Sequence, residues 1–453
     1  MKPDLKYLSV PLPEDVMKLK YYGDLERLNR VIDLKLEKEI PEALRMRLLL
    51  EKEIMALWPI YYPFSQAQAL KRLRDAFGEF GEEELEALRD RDAVEWTYIN
   101  GEVRYRKNFL ANLVKTRPAY EKRVVNPAYR YHDAEIDEKR ELTMRRMKET
   151  GEARVRFHIR TTLRIRPTKG REREEVTVHL PIPIEDAQVK AFRLLAVSRP
   201  DAEIAPPDYP QRTVRMTGPA EQPFFVEYTF ENHVRYVKPD PALALSQQPS
   251  FYTEEYPPHI AFTPYLRMLC DEIVGEEKNP IGKARKIYDY ITGKMMYSFM
   301  RGYITMPNVS EYGASCMKGD CGVLALLFIT LCRIAGVPAR WQSGVYIAPG
   351  DEGMHDWAQF YAAPYGWLFA DLSFGNSAYH HGNMEQWDFY FGNLDPYRMP
   401  ANSEYQHDFF RPMRHLRYDP YDNQDGEAEY GDMRVPIGQM DTTHEVLDAA
   451  WID

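Results

Sequence analysis

The run from Cys321 to Cys332 carries no charge, and helix punctuation brackets it on both sides. Asp320 precedes it as a good N-cap, Gly336 sits where a C′ residue belongs, and Pro338 lies just beyond. The pattern predicts a helix over about 321–335. Apolar on nearly every side, such a helix holds only if it is covered all round, so the fold must be built about it. The run breaks at Arg333 and is too short to span a bilayer.

That placement puts Cys321 in the first turn of a buried helix. Unpaired N–H groups there stabilise an anion, and a thiolate is one. A cysteine so placed beside a histidine has its pKa lowered to roughly 3.5–7.5. The ordinary reading, a small buried apolar cysteine, is adopted for Cys270 and Cys332. For Cys321 the next segments decide otherwise.

Arg340 to Ile347 is strand-like, and a Pro-Gly loop then leads to His355. His355-Asp356-Trp357-Ala358-Gln359 reads as a strand, with His355, Trp357 and Gln359 on one face and Asp356 on the other. Asp356 therefore cannot orient its neighbour's ring. A further strand, Gly366 to Leu372, follows a short loop. If residues 363–365 form that loop, Trp357 faces Asp371, and Asp371 becomes the same-face diagonal neighbour of His355. A slip of one residue would put Asp371 on the wrong face. The expected constellation is Cys321 as nucleophile, His355 as its base and Asp371 orienting the histidine. An acyl thioester would be resolved by water or an amine. The Cys321 backbone N–H and the Tyr297 hydroxyl are candidate oxyanion donors.

At 453 residues the length favours more than one domain. Residues 1–150 read as a helical N-terminal region. Leu25, Leu28, Val31, Ile32 and Leu36 recur at helical spacing, as do Leu44, Leu48, Ile54 and Leu57, and Asn100-Gly101 marks a hairpin turn. Residues 151–245 switch to period two, as in Arg154 to Ile159, Val176 to Leu180 and Phe225 to Phe230, which predicts a β-sandwich domain. His158 and His179 fall there without partner clusters and are read as structural. Residues 250–453 hold the chemistry, with long C-terminal loops expected beyond Gly375 and the last thirty or so residues loose.

The formal net charge of −10 disfavours a nucleic-acid partner. The start, MKPDLKYLSVPLPEDVMKLK, has no apolar core like a signal peptide's, so a cytoplasmic location with no membrane partner is expected. Four cysteines suit a reducing compartment. Cys316 and Cys321 admit a zinc site or a regulatory disulfide, and both readings are given little weight. His380-His381 is read as loop surface.

With these residues in view, the chain resembles the transglutaminase-like superfamily. The likeness runs through Gly319-Asp320-Cys321, Arg333-Ile334-Ala335-Gly336-Val337-Pro338-Ala339-Arg340, Ser343-Gly344, His355-Asp356-Trp357 and Gly366-Trp367-Leu368-Phe369-Ala370-Asp371. The order Cys, His, Asp, with gaps of 34 and 16 residues, is similar to the family's. The resemblance implies an α+β fold in which a papain/transglutaminase-like core follows the sandwich and the helical region. It implies no single reaction, since members include protein cross-linkers, peptidases and peptide amidases. The calcium features of animal transglutaminases and the paired CxxC zinc motifs of peptide N-glycanases are not evident here. No metal and no cofactor is therefore expected. The leading expectation is a cysteine-dependent hydrolase, a peptidase or amidase, acting on a protein or peptide substrate. The alternatives are glutamine acyl transfer to an amine and an inactive binding scaffold.

Overall fold

The computed structural model describes residues 4–130, 134–186 and 188–452. The chain divides into two compact units, Pro3–Ala134 with Ser298–Pro307, and Glu135–Tyr297 with Asn308–Asp453.

The first unit is helical, as its spacing predicts. Leu25, Leu28 and Ile32 are buried along Leu25–Leu36, and Leu48, Ile54 and Leu57 along Glu42–Tyr61, whose N-cap is Pro41. Trp96–Ile99 and Glu102–Tyr105 form the expected hairpin. Asn100 and Gly101 take φ values of 50° and 86°, the left-handed conformation that a type I′ turn requires at both positions. Segment 298–307 is held in this unit by an amide clamp. Asn112 accepts the Phe299 N–H at 2.6 Å and donates to the Phe299 carbonyl at 3.1 Å.

In the second unit, period-two segments build two four-stranded sheets. One runs Met440–Trp451, Glu152–Ile165, Phe224–Arg235, Val189–Val197, and the other Glu427–Glu429, Glu175–Pro181, Thr213–Pro219, Glu203–Ile204. Val155, Phe157, Ile159, Val178, Leu180, Tyr228 and Phe230 share the buried core between them. The tail corrects the expectation of a loose end, because Met440–Trp451 pairs along the length of Glu152–Ile165. Its alternation is hidden from a hydrophobicity reading because Thr442 and His444 occupy half-buried positions. There His444 Nδ1 pairs with the Thr161 hydroxyl at 3.0 Å, and a bulge between Val446 and Asp448 breaks the period.

The core sheet is antiparallel, in the order Phe391–Gly392, Gly366–Ala370, Asp351–Ala362, Ala339–Ala348, Arg398–Asn402. Helix Cys321–Ile334 is buried from Gly322 to Arg333, and Phe328 meets Phe360 of the central strand edge-on at 6.0 Å. Ala358 pairs with Ala370 and Ala362 with Gly366, the register set by a loop at 363–365. The strand ends at Ala370, and Asp371 becomes the N-cap of helix Leu372–His380. Gly344 opposes His355 across the sheet. A Cβ on Gly344 would lie 2.0 Å from the Met399 carbonyl, so only glycine admits the close approach of strand Arg398–Asn402. Among the described residues no helix is long and apolar enough to cross a membrane.

Candidate active site

Asp320 caps the central helix by accepting the Val323 N–H at 3.2 Å, which leaves Cys321 as the first helical residue. All four cysteines are free, so Cys316 and Cys321 do not pair. Cys321 is half-buried, and its thiol donates to Asp356 Oδ2 at 3.3 Å. Gln424, from the tail, donates to Asp356 Oδ1 at 2.6 Å and to the His355 carbonyl at 3.0 Å.

This environment overturns the expectation of a lowered thiol pKa. Burial, then Asp356 and Asp320, push the Cys321 thiol well above its ordinary range. The competition is decided by magnitude. A helix N-terminus is worth about 1 kcal/mol to an anion, whereas a like charge at about 4 Å costs about 4 kcal/mol at an effective dielectric of 20. Asp356 is itself pushed up to about 7 by burial and by Asp320.

His355 and Asp371 meet as the register requires. The imidazole Nε2 lies 2.7 Å from Asp371 Oδ2, and both residues are buried. With Asp371 ionised, Nε2 carries the proton and Nδ1 is the open acceptor. The Asp371 carboxylate is fixed by its second oxygen, which accepts the Phe374 N–H at 2.9 Å and the Ser373 hydroxyl at 3.2 Å. Burial would raise its pKa, but His355 and Arg398 hold it well below the usual carboxylate range. Burial lowers the His355 pKa, Asp371 opposes that, and Arg398 adds to it. The ring rests against Phe374 at 4.8 Å and Trp357 at 5.9 Å between centroids.

The structure thus joins two of the three expected residues directly and holds the third, Cys321, on Asp356, the chain neighbour of His355. Among the described residues the thiol's hydrogen-bond partner is Asp356, and no hydrogen bond links it to the His355 ring. Tyr297 pairs with Gly319, two residues before Cys321, in a short parallel bridge. Burial and the nearby carboxylates of Asp320, Asp356 and Asp371 keep its hydroxyl protonated, so it remains a donor. Sequence reasoning missed Asp356 as the thiol's partner, and with it Gln424 and Arg398. The last two come from a tail read as loops. His179 is buried and held neutral, with its pKa lowered to about 3 chiefly by burial, in keeping with a structural role. Among the described residues no His, Cys, Asp or Glu group of three or more is arranged to hold a metal ion.

Residues 267–372 match the transglutaminase-like superfamily. An uncharacterized protein of Haemophilus influenzae is 26% identical over 139 residues, covering 25% of this chain. The chain spans 37% of that relative's length. Among solved structures, a candidate cysteine protease from Cytophaga hutchinsonii aligns with a TM-score of 0.42 and 15% identity, over 67% of this chain and 91% of that one. The periplasmic domain of TgpA from Pseudomonas aeruginosa aligns with a TM-score of 0.28 and 14% identity, over 54% of this chain and 94% of that one. Over residues 267–372, with its helix-borne Cys321 packed on an antiparallel sheet, this chain carries a domain of the transglutaminase-like superfamily.

Proposed function

We propose that the protein is a cysteine-dependent hydrolase, a peptidase or amidase, that opens a peptide or carboxamide bond through a thioester on Cys321. The observation that carries this reading is the buried His355–Asp371 pair at 2.7 Å, set one strand position from the residue that holds the thiol.

In this reading the resting thiol is protonated on Asp356, and Sγ turns from that carboxylate when substrate enters. His355 Nδ1 then takes the Sγ proton while Nε2–H stays on Asp371. Sulfur adds to the carbonyl carbon, and the carbonyl electron pair moves to oxygen. The Cys321 N–H and the Tyr297 hydroxyl hold that oxyanion, each such donor being worth about 2.7–4 kcal/mol. Collapse breaks the carbon–nitrogen bond, and the amine leaves with the proton from His355. Water, deprotonated by the same nitrogen, resolves the thioester to the acid and restores the thiol.

A panel of peptidyl and glutaminyl amides, assayed with and without a labelled primary amine, tests this proposal. The expected result is release of acid and amine, with an acyl adduct trapped on Cys321 and activity abolished in Cys321→Ser. Amine incorporation outrunning hydrolysis would replace it with acyl transfer. A silent panel, with Cys321 still reactive, would remove the hydrolase reading.

A further inference from the structure

We propose that Arg398 is a positioning residue of the Cys321–His355–Asp371 system, clamped between Asp371 and Asp395 so that Asp371 keeps the charge and orientation that align His355 as base. This rests on the reading of His355 given above.

Arg398 enters from the far edge strand and is fully buried. One end of its guanidinium donates to Asp395 Oδ2 at 2.7 Å, and the other lies 2.9 Å from Asp371 Oδ2. The same Asp371 oxygen meets the imidazole N–H. The Arg398–Asp371 approach is a charge contact and not an aligned hydrogen bond, which leaves the aligned bond at that oxygen to His355. Asp395 is fixed in turn by the Tyr390 hydroxyl at 3.0 Å and the Tyr397 N–H at 3.1 Å. The guanidinium packs over Phe374, Tyr346 and Trp357 at 4.5, 4.8 and 5.5 Å, and these three rings also border the imidazole. One aromatic box therefore fixes both groups.

Stability alone is a weak reason for this arrangement, because a buried ion cluster is often no better than a well-packed apolar substitute. Its electrical consequence at His355 is a stronger one. The Asp371 carboxylate raises the proton affinity of the imidazole, and burial lowers it. A guanidinium on that carboxylate offsets the attraction.

The test compares wild type, Arg398→Lys and the charge-balanced double variant Arg398→Met with Asp395→Asn. Two quantities are read, the pH profile of kcat/KM and the titration of His355 by NMR in a Cys321→Ala background. In the double variant, loss of Arg398 outweighs the smaller, opposing loss of Asp395, so the His355 titration and the acid limb are expected to rise together, by up to on the order of one pH unit. Activity about a unit below the wild-type limb then falls by up to about tenfold. Arg398→Lys, which keeps the charge, should hold both near wild type. A folded double variant with His355 unmoved overturns the proposal, as does failure of both variants to fold, which would make Arg398 a strut. If wild type turns over nothing, the hydrolase reading falls, and the His355 titration still decides the role of Arg398.

Discussion

Asp371→Asn is expected to lower turnover by on the order of 10⁴-fold while the protein stays folded. Asparagine is as good an N-cap as aspartate, so helix Leu372–His380 should keep its start at the Phe374 N–H. The change falls on His355. An amide can present its N–H to Nε2, which moves the imidazole proton to Nδ1 and removes the acceptor meant for the thiol. Steady-state kinetics on the substrate found in the panel, with a thermal melt as control for folding, would measure this. Turnover within tenfold of wild type would mean that the buried pair is structural.

The second large effect concerns Asp356, and its sign is opposite to that of an ordinary surface carboxylate. Its pKa, about 7 in the folded protein, lies above the roughly 3.9 of an unfolded chain. The folded state therefore binds the proton more tightly. The associated stability is fully present below about pH 4 and is lost as pH rises through about 7, a total of up to about 4 kcal/mol. Asp356→Asn removes that loss. The variant should match wild type near pH 4 and be more stable near pH 8, as read by denaturant melts at the two pH values. It should also speed alkylation of Cys321 above pH 7, because the nearest charge opposing the thiolate is gone. A variant equal to or less stable than wild type near pH 8 would show that the carboxylate is already well solvated or paired.

Short-range signals in the sequence identify much of this site. Asp320, Gly336 and Pro338 punctuate the Cys321 helix, and Ala363-Pro364-Tyr365 sets a register that brings Asp371 to His355. What the sequence conceals depends on distant partners. The alternation of His355 and Asp356 was legible, but which face receives the thiol depends on how the helix lies on the sheet. Thiol reactivity was misjudged for that reason, since the helix terminus is a local feature and the Asp356 contact is not. Arg398 and Gln424 lie in a stretch rich in Pro, Asn and Tyr, whose pairing is fixed by its neighbours and not by its own periodicity. The closing strand Met440–Trp451 is masked in the same way by Thr442 and His444 at half-buried positions. Phe299 is held by Asn112 across 187 residues, which no local pattern announces.

The central claim is that His355 serves Cys321 as its base. The most direct measurement is the rate of iodoacetamide alkylation at each cysteine of the native protein, followed by peptide mapping from about pH 6 to 9. Exposed Cys316 serves as the internal reference. The account predicts a Cys321 rate that still climbs through about pH 8.5 and that falls at least about tenfold in His355→Ala, with Cys316 unchanged. A Cys321 rate indifferent to His355→Ala would contradict it.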